Sequence, residues 1–213
     1  MDSRKKRVLA VLGIAAMLFA ASVGVTQAFL TSMPAAVLNK VTPGALRVKL
    51  EETKWNPLKA KELVPGSCVD KDPTAVNTGS SEEWVFMKVT VPKKEIVAVD
   101  EHTKRKQERK NMQLFEFAAS EEWELIEKDE KKNAAELIYG YRSILKPGEK
   151  SVPLFTQVKL VNYLEGELDI QEGLEIPVDV MSIQSNVCTP DTPLKRIYEL
   201  YLKQKDEDRK EQQ

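Results

Sequence analysis

The sequence predicts an all-β domain, built as a sandwich or barrel, that follows an apolar leader. Short runs of β-branched and aromatic residues recur along the chain, and turn residues such as Pro-Gly pairs separate them. Hydrophobic residues make up 42% of the 213 residues, enough for one core. After removal of a leader, the length fits a single domain of roughly 100–200 residues.

The first 28 residues have the pattern of a signal peptide. Arg4-Lys5-Lys6-Arg7 is a positive start, the run from Val8 to Ala21 is apolar, and Thr26-Gln27-Ala28 supplies small residues. This pattern predicts export and cleavage between Ala28 and Phe29 by a signal peptidase. The alternative is a retained membrane anchor, because the uncharged run from Val8 to Val25 is about long enough to span a bilayer.

The charge of the mature part argues against a general affinity for nucleic acid or anionic membranes. The whole chain has 32 basic and 33 acidic residues. The leader contains four of the basic and one of the acidic residues, so the remainder has a net charge of −4. Binding of a polyanion would therefore need a local basic segment.

Six segments are predicted strands. In Leu46–Leu50 apolar side chains alternate with Arg47 and Lys49, which indicates one buried face. Trp84–Val91 is rich in β-formers, and Pro92 is expected to end it. The other four are residues 123–126, 136–145, 153–163 and 176–183.

Lys93 to Met112 departs from the strand pattern, because it contains the polar and mostly basic run from His102 to Lys110, and it is predicted as a long exposed loop. Its cations could contact a wall polymer, extracellular DNA or an acidic neighbour. The alternative is a plain solvated loop. The five cations are Lys104, Arg105, Lys106, Arg109 and Lys110.

The C-terminal segment is predicted to be a short α-helix. Thr192-Pro193 provides a capping hydroxyl and a proline for the first turn. We expect its apolar stripe to dock on a partner surface and the charged tail after Lys203 to fray. The stripe consists of Leu194, Ile197, Tyr198, Tyr201 and Leu202. The predicted organisation is a signal peptide (1–28), an N-terminal segment (29–44), a β-sandwich domain (45–190), and a helix with a charged tail (191–213).

Several stretches, taken in order, resemble one known family. They are Gly24–Thr31, Asn39–Leu50, Trp55-Asn56-Pro57, Leu63–Gly66, Lys71-Asp72-Pro73, Asn77-Thr78-Gly79, Val85–Val89, Tyr139-Gly140-Tyr141, Pro147-Gly148-Glu149, Leu154-Phe155 and Ser182-Ile183-Gln184. Gly24–Thr31 is similar to the signal of proteins processed by the SipW-type signal peptidase. The ordered set resembles the TasA/camelysin family of Gram-positive bacteria, from Gly24 to Gln184.

The resemblance implies a jelly-roll-like β-sandwich that is secreted and forms fibres of the extracellular biofilm matrix. It also implies an N-terminal segment that adds as a strand to the next subunit. In this chain the donor strand would run from Phe29 towards Leu38, where uncharged apolar residues would be buried by strand addition. They include Phe29, Leu30, Met33, Val37 and Leu38. The alternatives are a segment that folds back on its own domain and a disordered neck.

The residues give no pattern of a catalytic or metal site. Camelysin-like proteins are grouped as metallopeptidases, but catalytic zinc usually takes three protein ligands, often including two histidines, and His102 is the single histidine. The sequence has no HExxH, phosphate-binding loop, nucleophile elbow or calcium loop. We therefore predict a non-enzymatic protein without a cofactor or a small-molecule substrate, and a secreted metallopeptidase is the least favoured alternative.

Three acidic pairs and three tryptophans have simple structural interpretations. The pairs Glu51-Glu52, Glu82-Glu83 and Glu121-Glu122 are predicted to be solvated strand edges, rather than cation or acid–base sites. Trp55, Trp84 and Trp123 lie beside apolar strand residues, so we expect core packing rather than a glycan site.

Cys68 and Cys188 are the two cysteines of the chain. Cysteines of an exported domain are able to pair, and such a bridge would stabilise the fold by roughly 4–5 kcal/mol in the chain-entropy model. We predict a disulfide, with two free thiols as the alternative.

Two functions are compatible with the sequence. The first is a secreted cell-surface or matrix protein that self-associates through its N-terminal segment. The second is a monomeric binding or adhesion module that docks a partner through the C-terminal helix or the basic segment.

Overall fold

The computed structural model describes residues 46–56, 63–164, 166 and 175–211. The 3₁₀ turn spans Ser185–Val187, and helix α1 spans Leu194–Glu211. The strands are β1 (Val48–Glu52), β2 (Cys68–Asp70), β3 (Pro73–Asn77), β4 (Glu83–Val99), β5 (Lys106–Gln113), β6 (Phe115–Glu116), β7 (Trp123–Glu130), β8 (Ala134–Tyr141), β9 (Gln157–Leu160) and β10 (Val178–Gln184).

The strands pair in antiparallel fashion and form a sandwich-like fold. The main sheet has the order β10-β4-β8-β7, and β5 pairs with the far half of β4. The second sheet has the order β2-β9-β6, and β1 pairs with β3. The prediction of a mostly β protein with a short C-terminal helix is therefore confirmed.

Strand β4 connects two hydrophobic clusters on opposite faces of the main sheet. Its odd-numbered residues from Val85 to Val91 are fully buried in the larger core, which also contains Val158 and Leu160 of β9. Trp84 and Phe86 point the other way, towards a smaller cluster that includes helix α1. Because successive side chains of a strand face opposite sides, β4 is covered on both faces, by the larger core on one and by the smaller cluster on the other.

Helix α1 packs on the chain's own sheet, which corrects the expectation that its stripe docks on a partner. Leu194, Ile197 and Tyr198 are buried, and the rings of Tyr198 and Phe86 have centroids 5.3 Å apart. The charged tail extends the helix to Glu211 instead of fraying. Among the described residues, no helix is both long and apolar enough to cross a membrane.

Gly140 in β8 makes the close approach of helix and sheet possible. A Cβ atom at this position would lie 2.7 Å from Ile126 Cδ1, 3.2 Å from Phe86 Cε1 and 3.3 Å from Leu194 Cδ1. Real Cβ atoms do not approach other heavy atoms as closely as the first of these distances. A larger residue here would therefore push the helix or Ile126 away.

The predicted long loop from Lys93 to Met112 is wrong, because this segment is a β-hairpin. Strand β4 continues to Val99, and β5 returns alongside it. Pro92 does not end β4 because the strand changes partners there: β8 pairs with β4 as far as Pro92, and β5 pairs with it from Lys93 onward. Ile96 is fully buried in the larger core, so a mostly polar segment is anchored by a few inward-facing residues.

Candidate functional site

The hairpin formed by residues 93–113, called the basic hairpin below, has a turn held by its own hydrogen bonds. Asp100 Oδ1 accepts hydrogen bonds from the backbone N–H groups of Thr103 and His102 at 2.7 and 3.1 Å. The Thr103 hydroxyl donates to the same oxygen at 2.8 Å, and these bonds, led by the Thr103 N–H, lower the pKa of Asp100. Lys104 completes the turn with a φ of 57°, in the left-handed region.

The five cations from Lys104 to Lys110 of the basic hairpin are all exposed. Lys106 and Arg109 oppose Val99 and Val97 in the ladder. Lys110 opposes Ile96 and lies on the other face, because paired residues of a ladder share a face. No ion pair joins another described residue to Lys104, Arg105, Lys106 or Lys110.

The base of the basic hairpin is attached to the end of β7. Lys93 Nζ lies 2.6 Å from Glu130 Oε2, and Gln113 Nε2 donates to Glu130 Oε1 at 3.1 Å. The ammonium groups of Lys128 and Lys93 lower the pKa of Glu130 to about 2. These contacts fix the base of the hairpin and involve none of the five cations from Lys104 to Lys110.

Strand β7 with the turn before it, residues 121–130, is an acidic edge of the main sheet, called the acidic edge below. It has six acidic residues and one basic residue, a net charge of −5. It pairs with β8 on one side, and no described strand pairs with its other side. Leu125, near its middle, is 48% exposed.

Ion pairs neutralise only part of the acidic edge. Arg142 Nη1 lies 2.8 Å from Glu124 Oε2, and Glu130 is paired as described above. Glu121, Glu122 and Glu127 form no ion pair with the residues that the structure describes. Glu121 and Glu122 are exposed, as predicted.

Glu83 is not the solvated edge residue that the sequence predicted. It is fully buried, and neither carboxyl oxygen has a hydrogen-bond partner. Burial raises the pKa of Glu83, and the Ser182 side chain offsets this only partly. The sequence did contain a signal of this burial, since Glu83 is two and four residues before Val85 and Met87 and therefore faces the same side of β4.

Glu51 and Glu52 are also paired rather than simply solvated. Lys150 Nζ lies 2.6 Å from Glu51 Oε2, and the Nζ of buried Lys71 lies 2.6 Å from Glu52 Oε1. The same Lys71 ammonium sits 4.5 Å from the centroid of the Trp55 ring. The contacts of Lys71 connect β1 and the segment after it to the corner before β3.

The tryptophans pack as predicted. Trp84 and Trp123 are each 4% exposed, and Trp55 packs against the larger core. Trp123 Nε1 donates to the Val152 carbonyl at 3.1 Å. All three tryptophans therefore pack in one of the two hydrophobic clusters.

The predicted disulfide is wrong, because Cys68 and Cys188 are both free thiols. Cys68 is exposed in β2 of the second sheet, whereas Cys188 follows β10 of the main sheet and packs in the cluster under helix α1. Cys68 thus lies in the second sheet and Cys188 under helix α1, which their sequence positions did not indicate.

His102 is exposed at the hairpin tip, as predicted. Within the described ranges, no group of three or more His, Cys, Asp or Glu side chains is placed to hold a metal ion. The predicted cleavage site at Ala28 and Phe29 lies outside the described residues, as does the predicted donor segment with Phe29, Leu30, Met33, Val37 and Leu38.

Comparison of the chain with protein-family models, curated proteins and solved structures gave no match. The resemblance to the TasA/camelysin family therefore stays a prediction.

Proposed function

We propose that the chain is exported and that its mature part is a non-enzymatic cell-surface or biofilm-matrix protein that self-associates into fibre-like assemblies. The observation that supports this most is the open side of strand β7. An edge strand presents unpaired N–H and C=O groups that a strand of another molecule can pair with. The signal-like leader and the resemblance to TasA/camelysin proteins, with their jelly-roll-like sandwich, agree with this role.

The N-terminal segment is the proposed source of an added strand. A chain that begins at Phe29 is compared with one that begins at Asn39, by electron microscopy and by light scattering across a concentration series. We expect filaments or large polymers from the first chain and monomers from the second, with the same circular dichroism spectrum. Polymers of equal size from both chains would contradict a role of residues 29–38 in assembly.

The second candidate is a monomeric extracellular binding or adhesion module, favoured by the exposed cations of the basic hairpin. A wall polymer or extracellular DNA would bind them through its phosphate groups, and the affinity would fall steeply with salt. The test titrates duplex DNA at several salt concentrations with wild type and with Arg105→Glu/Lys106→Glu/Lys110→Glu. We expect the slope of log affinity against log salt to decrease by about one for each phosphate that the variant no longer binds, whereas an unchanged slope would reject this candidate.

A further inference from the structure

We propose that the basic hairpin of one molecule docks on the acidic edge of a second copy of the chain. This inference rests on the proposed self-association and names the two surfaces that would form one contact. The hairpin would occupy the open side of β7 in place of a strand from the N-terminal segment, so the two contacts are alternatives at this edge.

The two surfaces have opposite charge. Residues 104–110 of the basic hairpin contain five basic residues and one acidic residue, a net charge of +4, against −5 for the acidic edge. Both are exposed strand segments with an open side, since among the described strands β5 pairs only with β4, and β7 only with β8. Pairing of two such edges satisfies backbone groups, and opposite charges across the new ladder stabilise it.

Within the part of the chain that the structure describes, the two surfaces meet at the base of the hairpin, and several charges of each surface have no ion pair there. The hydrogen bonds and ion pairs described between the hairpin and β7 are at the base, where Lys93 and Gln113 meet Glu130. Arg105, Lys106 and Lys110 have no ion pair with a described residue, and the same holds for Glu121, Glu122 and Glu127. The unpaired charges of both signs are therefore available to a second copy.

Each surface also has an apolar part inside its charges. Leu125 is 48% exposed near the middle of the acidic edge. On the basic hairpin, Val97 and Val99 are half-buried and share a face with Arg109 and Lys106. An apolar centre with a charged rim is the usual composition of a protein interface.

The contact would join two different patches. Since each molecule has both patches, every added molecule would leave one free patch for the next, and the contact would repeat along a chain of molecules. Contacts between unlike patches form open chains of molecules when their rotation does not close a ring. The proposed contact is therefore suited to a fibre rather than to a closed dimer.

Charge reversal tests the contact with two variants of the mature chain. The hairpin variant is Arg105→Glu/Lys106→Glu/Lys110→Glu, and the edge variant is Glu121→Lys/Glu122→Lys/Glu127→Lys. Each variant then has like charges on both surfaces, and we expect self-association to weaken on the order of tenfold or more. Mixing the two variants restores complementarity, so we expect them to co-assemble, measured by sedimentation velocity with one variant labelled.

A matched control reverses three cations elsewhere. Lys203→Glu/Lys205→Glu/Lys210→Glu makes the same change in net charge on the exposed part of helix α1, and we expect it to assemble as wild type does. Circular dichroism checks that all variants are folded.

Three outcomes would overturn the inference. If wild type polymerises and both reversed variants polymerise equally well, self-association stands and this contact is wrong. If the reversed variants are monomeric but their mixture does not co-assemble, the two surfaces do not bind each other. If wild type is monomeric at every concentration, the proposed self-association is wrong as well. In that case, a weaker affinity of the hairpin variant for DNA would show that the hairpin binds polyanions, as in the second candidate function.

Discussion

Glu83 stands out among single residues because its carboxyl group is buried without a hydrogen-bond partner. Its backbone exchanges two hydrogen bonds with Leu145, at 3.1 and 2.9 Å, so the residue is held in place by its main chain. Burial raises the pKa of Glu83 above its ordinary value of 4.5. The folded state therefore favours the protonated form.

The raised pKa of Glu83 makes stability depend on pH in a defined direction. Below pH 4.5 the carboxyl group is largely protonated in both the folded and the unfolded chain, so no penalty arises. As the pH rises, the unfolded chain releases the proton first, and the free energy of unfolding decreases until the pH passes the raised folded pKa. The stability associated with Glu83 is thus present in acid and lost towards neutral and higher pH.

Glu83→Gln removes this titration and should stabilise the protein at high pH. We expect a free energy of unfolding higher than that of wild type at pH 8, by about 1.4 kcal/mol for each unit by which the folded pKa of Glu83 exceeds its ordinary value. The gain should shrink towards zero at pH 4. Urea unfolding at the two pH values measures it, and exposed Glu82→Gln is the control; a gain of the same size at both pH values would contradict the account.

Gly140→Ala tests the space between the main sheet and helix α1. The new Cβ would meet Ile126 Cδ1 at 2.7 Å, and overpacking of this kind costs about 1–3 kcal/mol. Ile126→Val removes the clashing methyl group, so the double variant should be more stable than the sum of the single effects predicts. Chemical unfolding of the four proteins measures this coupling, and strictly additive effects would show that Ile126 does not limit the space at Gly140.

At the scale of elements, helix α1 has a packed half and a solvated half. Ile197 is fully buried, whereas the residues described after Leu202 are exposed. We expect Ile197→Ala to lower the free energy of unfolding by about 2–5 kcal/mol. Deletion of residues 203–213 should change it by only about 0.5 kcal/mol, and urea midpoints that fall equally for both variants would contradict this division.

The sequence predicted individual strands better than the pairing between them. The alternation in Leu46–Leu50 and the β-rich run Trp84–Val91 are local patterns, and both segments are strands where they were expected. The far half of β4 was missed because three charged residues, Lys93 to Glu95, interrupt the apolar run and because its buried positions change from odd to even numbers between Val91 and Ile96. Its partner β5 was missed because no apolar alternation marks it.

For the candidate site, the sequence was sufficient to predict that its residues are exposed, but not which other strands lie beside them. The density of cations from Lys104 to Lys110 was sufficient to predict that they lie at the surface. That they belong to a hairpin, and that β7 is an open edge, follows from the order of strands far apart in sequence. The burial of Glu83 also depends on tertiary structure, although the sequence shows that Glu83 lies two residues before Val85 and so faces the same side of a strand.

At the scale of the whole molecule, a net charge near zero conceals two surfaces of opposite sign. The chain as a whole has a formal net charge of −1, yet the basic hairpin and the acidic edge each concentrate one sign on an exposed strand. Such a distribution favours contacts between copies of one chain over general binding to polyanions, because the acidic edge repels them.

The most direct test of the central claim is sedimentation velocity of the chain that begins at Phe29, over a concentration series in about 0.15 M and about 1 M salt. We expect the weight-average sedimentation coefficient to rise with concentration at the lower salt. We expect a smaller rise at the higher salt, because charges are screened over about 3 Å instead of about 8 Å. A single monomeric species at every concentration and both salt levels would contradict the claim that this protein self-associates.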